Sequence, residues 1–349
     1  MSADGAAAAP AGVEAVPTGT RIVHIGAAKT GTTSVQAAFA AAREVLPGLG
    51  VVYPGTGSNH KAEMDRLLAN RPGGALGRLR TELAQHPEHR VLLSAERLAH
   101  QLAPGPQRVH ELVGDRAHVV LTLRSVADFL ASMWQQEVKS GEVRDLGTWT
   151  RGRLEAIDSY NLLRRDDGTG VAQRWTREFG PEHVTVVVLE RSSPGRLFEV
   201  FEGLCGLPAG TLRVAELNRG LTWPEAELVR AVNVRIAAAG AAERADLRRL
   251  VHLGIVSGIV HDWSPDRGEA KPVLPAWARA QVVDAAARLA DDVRASGARV
   301  VGDLAELERF PTRDMAGPVS AVPTGLLDAA LHGLVRRTAA MTRRRSGRP

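Results

Sequence analysis

The feature that most constrains this chain is a set of short apolar runs that do not alternate with polar residues. They are RIVHIG (21–26), RVLLS (90–94), HVVLTLR (118–124) and HVTVVVLE (183–190). A strand with one solvated face alternates apolar and polar side chains, whereas a continuous apolar run is buried on both faces, as in a parallel sheet covered by helices. Between the runs the pattern changes to a helical period. TTSVQAAFAAAREVL sets Val35, Ala38, Phe39, Ala42 and Leu46 on one face, and 61–70, 75–86, 128–141 and 160–178 also read as helices. VVYP (51–54) is a short extended piece stopped by its proline. Strand and helix in alternation predict an α/β fold, a doubly wound parallel sheet flanked by helices.

The ends of the chain read differently. Residues 1–20 are Ala/Gly/Pro-rich without periodicity and are expected to form a disordered arm. From Pro224 the pattern is helical, over 224–239, 241–252, 274–297 and 325–341, with the Pro/Gly-rich stretch 253–273 as a loop or connection. The expected organisation is one α/β domain over 21–335, helical from about 224, followed by a basic tail over 336–349.

The net charge of +5 and the pI near 9.9 suggest an anionic partner such as nucleic acid. The charge is not spread, however. Arginines 336, 337, 343, 344, 345 and 348 stand in a segment without acids, and the 335 residues before it sum to −1. A solvated, disordered tail on a nearly neutral body is the expected reading, with no nucleic-acid partner. A binder acting through the arginine tail is the alternative. Cys205 is the single cysteine, which excludes an internal disulfide framework and fits a reducing, cytoplasmic compartment. No apolar run approaches the roughly 18 residues of a membrane-spanning helix, and the acidic start lacks the marks of a secretory signal. Only four lysines occur (29, 61, 139 and 271) among 44 basic residues, so a lysine in a special setting is informative.

One such setting is Ile25-Gly26-Ala27-Ala28-Lys29-Thr30-Gly31-Thr32-Thr33-Ser34. The segment follows a strand and opens a helix, whose first N–H groups are unpaired and carry the positive end of the dipole. Gly26 and Gly31 let the backbone curl, Thr30, Thr32, Thr33 and Ser34 bring hydroxyls, and Lys29 brings a mobile cation. Together they form a candidate phosphate loop. A Walker A loop has its lysine after the second glycine, but here Lys29 precedes Gly31 by two residues. The strands that would supply a magnesium-binding aspartate end instead in Arg124 and Glu190. A P-loop kinase or nucleotide hydrolase using Mg-ATP is therefore the second reading.

Lys-Thr-Gly-Thr-Thr after an apolar strand resembles the 5′-phosphosulfate loop of sulfotransferases that use 3′-phosphoadenosine 5′-phosphosulfate (PAPS). LRSVADFLASMWQ, with Arg124 and Ser132 eight residues apart, resembles the family's 3′-phosphate segment. Ser125 and Asp128 fit a capping box at that helix start. GVVYPG, LLSAERL and W-x-x-x-FG-x-x-x-V-x-V (175–186) follow in the order of bacterial sulfotransferases, so the resemblance spans roughly 21–240. It implies a P-loop-like fold and sulfonate transfer to a hydroxyl or amine of a small-molecule, carbohydrate or lipid acceptor. Lys29 would stabilise the leaving phosphate, and no metal would be required. The late Arg-Lys-Gly of cytosolic sulfotransferases is matched only in part, by Asn218-Arg219-Gly220.

An acceptor must lose a proton, and two residues compete for it. His60, in the loop after the first helix, has the better intrinsic pKa for a base at neutral pH. Glu96 follows the second strand, where cytosolic sulfotransferases place a catalytic histidine, and would need burial to become basic. His24, inside the first strand, reads as a core histidine. Tyr53, Trp134 and Trp149 are either core or acceptor-pocket residues.

Overall fold

Residues 13–191, 193, 195–213, 219–240 and 245–346 are described by a computed structural model. Six strands pair in parallel in the order β2-β3-β1-β4-β5-β6. They are β1 (Arg21–Gly26), β2 (Val51–Val52), β3 (Arg90–Ser94), β4 (Ala117–Leu123), β5 (Val184–Val188) and β6 (Arg299–Val301). Every residue of β1, β4 and β5 is buried, as expected of continuous apolar runs. The fold is α/β with a doubly wound sheet and a helical C-terminal region. The chain leaves β1 toward one edge to build β2 and β3, then crosses to build β4, β5 and β6. The C-terminal end of β1 is thus the topological switch point, where open α/β sheets bind ligands. β6 has only three residues, too few to stand out from the helical pattern before it.

The chain divides into two compact units. The first comprises 1–126, 156–218 and 283–309 and contains the whole sheet; the second comprises 127–155, 219–282 and 310–349. The first helix after β1, α1 (Thr32–Ala42), buries Val35, Ala38 and Phe39 against Ile22, Tyr53, Val120 and Phe201. Val13 and Val16 join this core, the Val16 N–H donates to the Leu204 carbonyl at 3.0 Å, and Arg90 Nε donates to the Val16 carbonyl at 2.6 Å. Residues 13–20 are therefore docked, not a disordered arm, because their two valines find a hydrophobic surface. Residues 1–12 of the arm lie outside the described residues.

Other expectations change as well. The helix expected over 160–178 is broken: 3-10 turns at Ile157–Ser159 and Asn161–Leu163 precede a helix over Val171–Phe179. Between them Asp167 (φ 48°) and Gly168 (φ 75°) turn the chain sharply, the left-handed pair that Asp-Gly favours. Helices not expected from the sequence also form over Gly105–Val113, Leu146–Leu154 and Arg196–Cys205.

In the second unit, 253–273 is not simply a loop. A π-helical turn (Val251–Val256) runs into a helix (Ser257–Asp262) packed on the long helix Thr324–Ser346. A Cβ on Gly258 would stand 2.9 Å from Gly333 Cα, so the close crossing requires glycine there. The long helix continues through Arg336, Arg337 and Arg343, and Arg336 pairs with Asp262 at 3.2 Å. The expected disordered tail is thus helical to Ser346, and 347–349 lie outside the described residues. Trp134 stacks on Trp223 at 5.8 Å and donates to the Arg144 carbonyl; Trp149 donates to Glu137 at 2.8 Å. Both are core residues of this unit, fully buried. Among the described residues no helix is long and apolar enough to cross a membrane.

Candidate anion-binding site at the end of the first strand

The loop between β1 and α1 is fixed from below by polar groups in otherwise apolar strands. The Ala27 N–H donates to the Thr122 carbonyl at 2.9 Å. Thr30 Oγ1 donates to the Ala27 carbonyl at 2.5 Å and lies 2.5 Å from Thr122 Oγ1. His24 bridges Ser94 Oγ (2.9 Å) and Thr122 Oγ1 (3.4 Å), and Gln36 Nε2 donates to Ser94 Oγ at 3.0 Å. Thr30 is thus a latch: it is buried, and its hydroxyl faces inward rather than toward a ligand. Thr122, Ser94 and Gln36 were not singled out in the sequence. Their signal is a hydroxyl inside HVVLTLR and RVLLS, where an unpaired polar group would be costly.

Above this floor the loop is open. Lys29 (φ 66°) and Gly31 (φ 80°) take left-handed conformations that turn the chain into α1. Gly31 is the N-cap and brings no side-chain cap, so the first amides of α1 present the positive end of the helix outward. Thr33 is exposed and Ser34 half-buried beside them. Arg124, at the end of β4, donates from Nη1 to the Lys29 carbonyl at 2.9 Å. Thr32 Oγ1 donates to Glu96 Oε2 at 2.5 Å. A Cβ on Gly26 would lie 2.6 Å from the Glu96 carbonyl oxygen, so only glycine lets the chain after β3 pass this closely. Burial lowers the Lys29 pKa, the nearby Glu96 carboxylate pushes it up, and the Arg124 guanidinium pushes it down. Lys29, Glu96 and Arg124 therefore converge on one end of the sheet.

A small cleft lies beside Glu96, lined by Gln36, Asn59, Lys61, Met64 and Arg97 among others. His60 is not part of that lining. Its Nδ1 accepts from the Ser94 N–H at 3.0 Å, its Nε2 donates to the Pro54 carbonyl at 3.1 Å, and it is 3% exposed. Burial pushes its pKa down to about 4. With both ring nitrogens engaged, His60 has no lone pair for an acceptor proton, and its expected role as base is corrected to a structural one. His24, with a pKa pushed down to about 3 by burial, is the core histidine that its place in β1 predicts.

The remaining candidates separate. Tyr53 is 2% exposed, packs on Phe39 and donates to the Ser58 carbonyl at 2.7 Å, so it is core. Ser125 Oγ donates to the Arg309 carbonyl at 2.6 Å. Ser132 lies half-buried on the helix Val126–Lys139, in the second unit. Arg219 is engaged within that unit by Glu225 (2.7 Å) and the carbonyls of Ile259 and Trp263 (both 3.0 Å). It does not correspond to a spare cofactor-binding arginine. Asn218 lies outside the described residues.

No protein-family model matches the chain, and no curated protein matches its sequence. Among solved structures, a sulfotransferase from Alicyclobacillus acidocaldarius is similar over 66% of this chain and 98% of its own length, with 17% sequence identity and a TM-score of 0.38.

Proposed function

We propose that this chain is a sulfotransferase that moves the sulfonate of PAPS to a hydroxyl or amine of a small-molecule, carbohydrate or lipid acceptor. The observation that carries the reading is the convergence of Lys29, Arg124 and Glu96 on the uncapped start of α1 at the switch point of the sheet. The residues present suit a phosphosulfate. Outward amides of α1, with Thr33 and Ser34, hold its oxygens, and Lys29 offers a cation to the phosphate that accumulates charge as the sulfur–oxygen bond breaks. Arg124 is assigned the 3′-phosphate.

On the acceptor side, the acceptor oxygen attacks sulfur in line, adenosine 3′,5′-bisphosphate leaves, and the acceptor proton passes to Glu96. Glu96 is assigned the base because it lies at the cleft and at the loop together. Thr32 occupies Oε2 and orients the carboxylate, leaving Oε1 toward the acceptor. Lysine, arginine and helix amides supply the charge stabilisation that this scheme needs, so it includes no metal.

The test is thermal unfolding with adenosine 3′,5′-bisphosphate in the presence of a chelator. A concentration-dependent rise in Tm is expected. A rise seen only with Mg-ATP would overturn the reading in favour of a kinase or nucleotide hydrolase. An acceptor screen with labelled PAPS then identifies the substrate.

A further inference from the structure

The second unit carries an apolar stripe that its own packing does not use. The long helix Thr324–Ser346 buries Leu326, Ala329, Ala330 and Gly333, and Ala329 and Gly333 meet Gly258 of the helix Ser257–Asp262. Leu327, Leu331 and Val335 stand on another face, at i, i+4 and i+8, so they line up one above the other. Leu327 is 40% exposed; Leu331 and Val335, at 61% and 64%, exceed every other large hydrophobic side chain among the described residues. Single exposed hydrophobics are ordinary on a protein surface, whereas three in line along one helix form a patch.

Toward its C-terminal end the same helix becomes cationic. Arg336, Arg337 and Arg343 lie on its last half, the sequence adds arginines 344, 345 and 348, and no acid follows Asp328. Asp328 itself precedes Arg336 by about two turns. Asp262, on the neighbouring helix, is already engaged by Arg336 at 3.2 Å and by His332 at 3.3 Å. An exposed apolar stripe therefore runs directly into a segment of six arginines, on a body whose charge is −1. The helix is not apolar enough to cross a membrane. An apolar face joined to clustered arginines is instead the composition of a helix that lies in the plane of a membrane surface.

We infer that the helix Thr324–Ser346 docks the chain on an anionic lipid surface, with Leu327, Leu331 and Val335 entering the boundary of the acyl chains and the arginines against the headgroup phosphates. The two signals act together: the stripe alone is short, and the arginines alone would only hover at the surface. A nucleic acid would use the arginines and leave the stripe in water. A second copy would use the stripe and leave the arginines unanswered, and three partly exposed side chains fall far short of the roughly 1,200 Å² at which stable protein interfaces begin. A lipid surface answers both features at once. The inference rests on this helix alone and stands or falls independently of sulfonate transfer.

The test is cosedimentation of the full chain with vesicles of phosphatidylcholine, with and without about 30% phosphatidylserine, at about 0.1 M salt. Binding to the acidic vesicles is expected to be at least about tenfold tighter than to the neutral ones, and to weaken at least about fivefold at about 0.5 M salt. Leu331→Gln combined with Val335→Gln, both at exposed positions, should weaken it about tenfold with Tm unchanged. Arg343→Gln, Arg344→Gln and Arg345→Gln together should weaken it about a hundredfold. If the Leu331/Val335 pair perturbs folding, Val335→Gln alone is read in its place, with about threefold weakening expected. Absence of binding to acidic vesicles, equal binding to both compositions, or undiminished binding after loss of the apolar side chains would each overturn the inference. So would a dimer in sedimentation velocity that the Leu331/Val335 pair abolishes, or binding to duplex DNA in place of acidic vesicles.

Discussion

Two polar clusters lie near the C-terminal end of β3, and they differ in one respect. Around His60 every hydrogen-bonding atom of the ring has a partner: Ser94 gives to one nitrogen and Pro54 accepts from the other. Around Lys29 and Glu96, two opposite charges lie by the uncapped start of a helix, and Glu96 lines a cleft. The first arrangement is built to hold a neutral ring in place. The second gathers charge and the first amides of α1 at one end of the sheet. A histidine has the better intrinsic pKa, yet the carboxylate has the better position, and position decides which group can touch a substrate.

The largest effect that would sharpen this contrast is expected from Lys29→Ala. Turnover should fall about a thousandfold with a smaller change in KM, because the charge it answers grows only toward the transition state. Equal loss in KM and kcat/KM, with kcat preserved, would make Lys29 a binding residue only. Next comes Glu96→Gln, which should lower kcat about a hundredfold. If kcat is kept in Glu96→Gln and lost in His60→Gln, the assignment of the base is reversed. Arg124→Lys should raise KM for PAPS about tenfold, since it gives up both the phosphate fork and the bond to the Lys29 carbonyl.

The smallest catalytic effect is expected at His60, where the signal is stability. His60 is neutral in the folded chain with a pKa near 4, against an ordinary value of 6.5. Between these values the unfolded chain binds more protons, so the stabilisation is full above pH 6.5 and is lost as pH falls toward 4. Buried His24 and His118, with pKa values pushed down to about 3 and 4, act in the same direction. Urea unfolding of His60→Gln should show a slope with pH shallower by as much as about 1.4 kcal/mol per pH unit across that window. Its turnover, corrected for folded fraction, should stay within about twofold. An unchanged slope would mean that His60 is protonated or exposed in solution.

Much of the site was legible because it is local. Gly26 to Ser34 is one continuous stretch, and a strand, a glycine-bounded turn and a helix start follow from it without distant contacts. Arg124 was legible for the same reason, as the end of an apolar run. The floor was not. Thr122 and Ser94 look like minor interruptions of apolar strands, and only the sheet places them on opposite sides of His24. His60 and Glu96 could not be ranked from sequence, because nothing local tells whether an imidazole nitrogen will find a backbone partner 34 residues away.

The sequence by itself determined the central strands and their parallel sense, since both follow from residue period within short segments. Tertiary structure alone decided which polar groups are spent and which remain available. It drew Val13 and Val16 into the core and gathered 127–155 with 219–282 and 310–349 into a second unit. The physical reason is that a hydrogen bond needs two partners in place. Sequence names the partners, but only the folded chain brings them within 3 Å or keeps them apart.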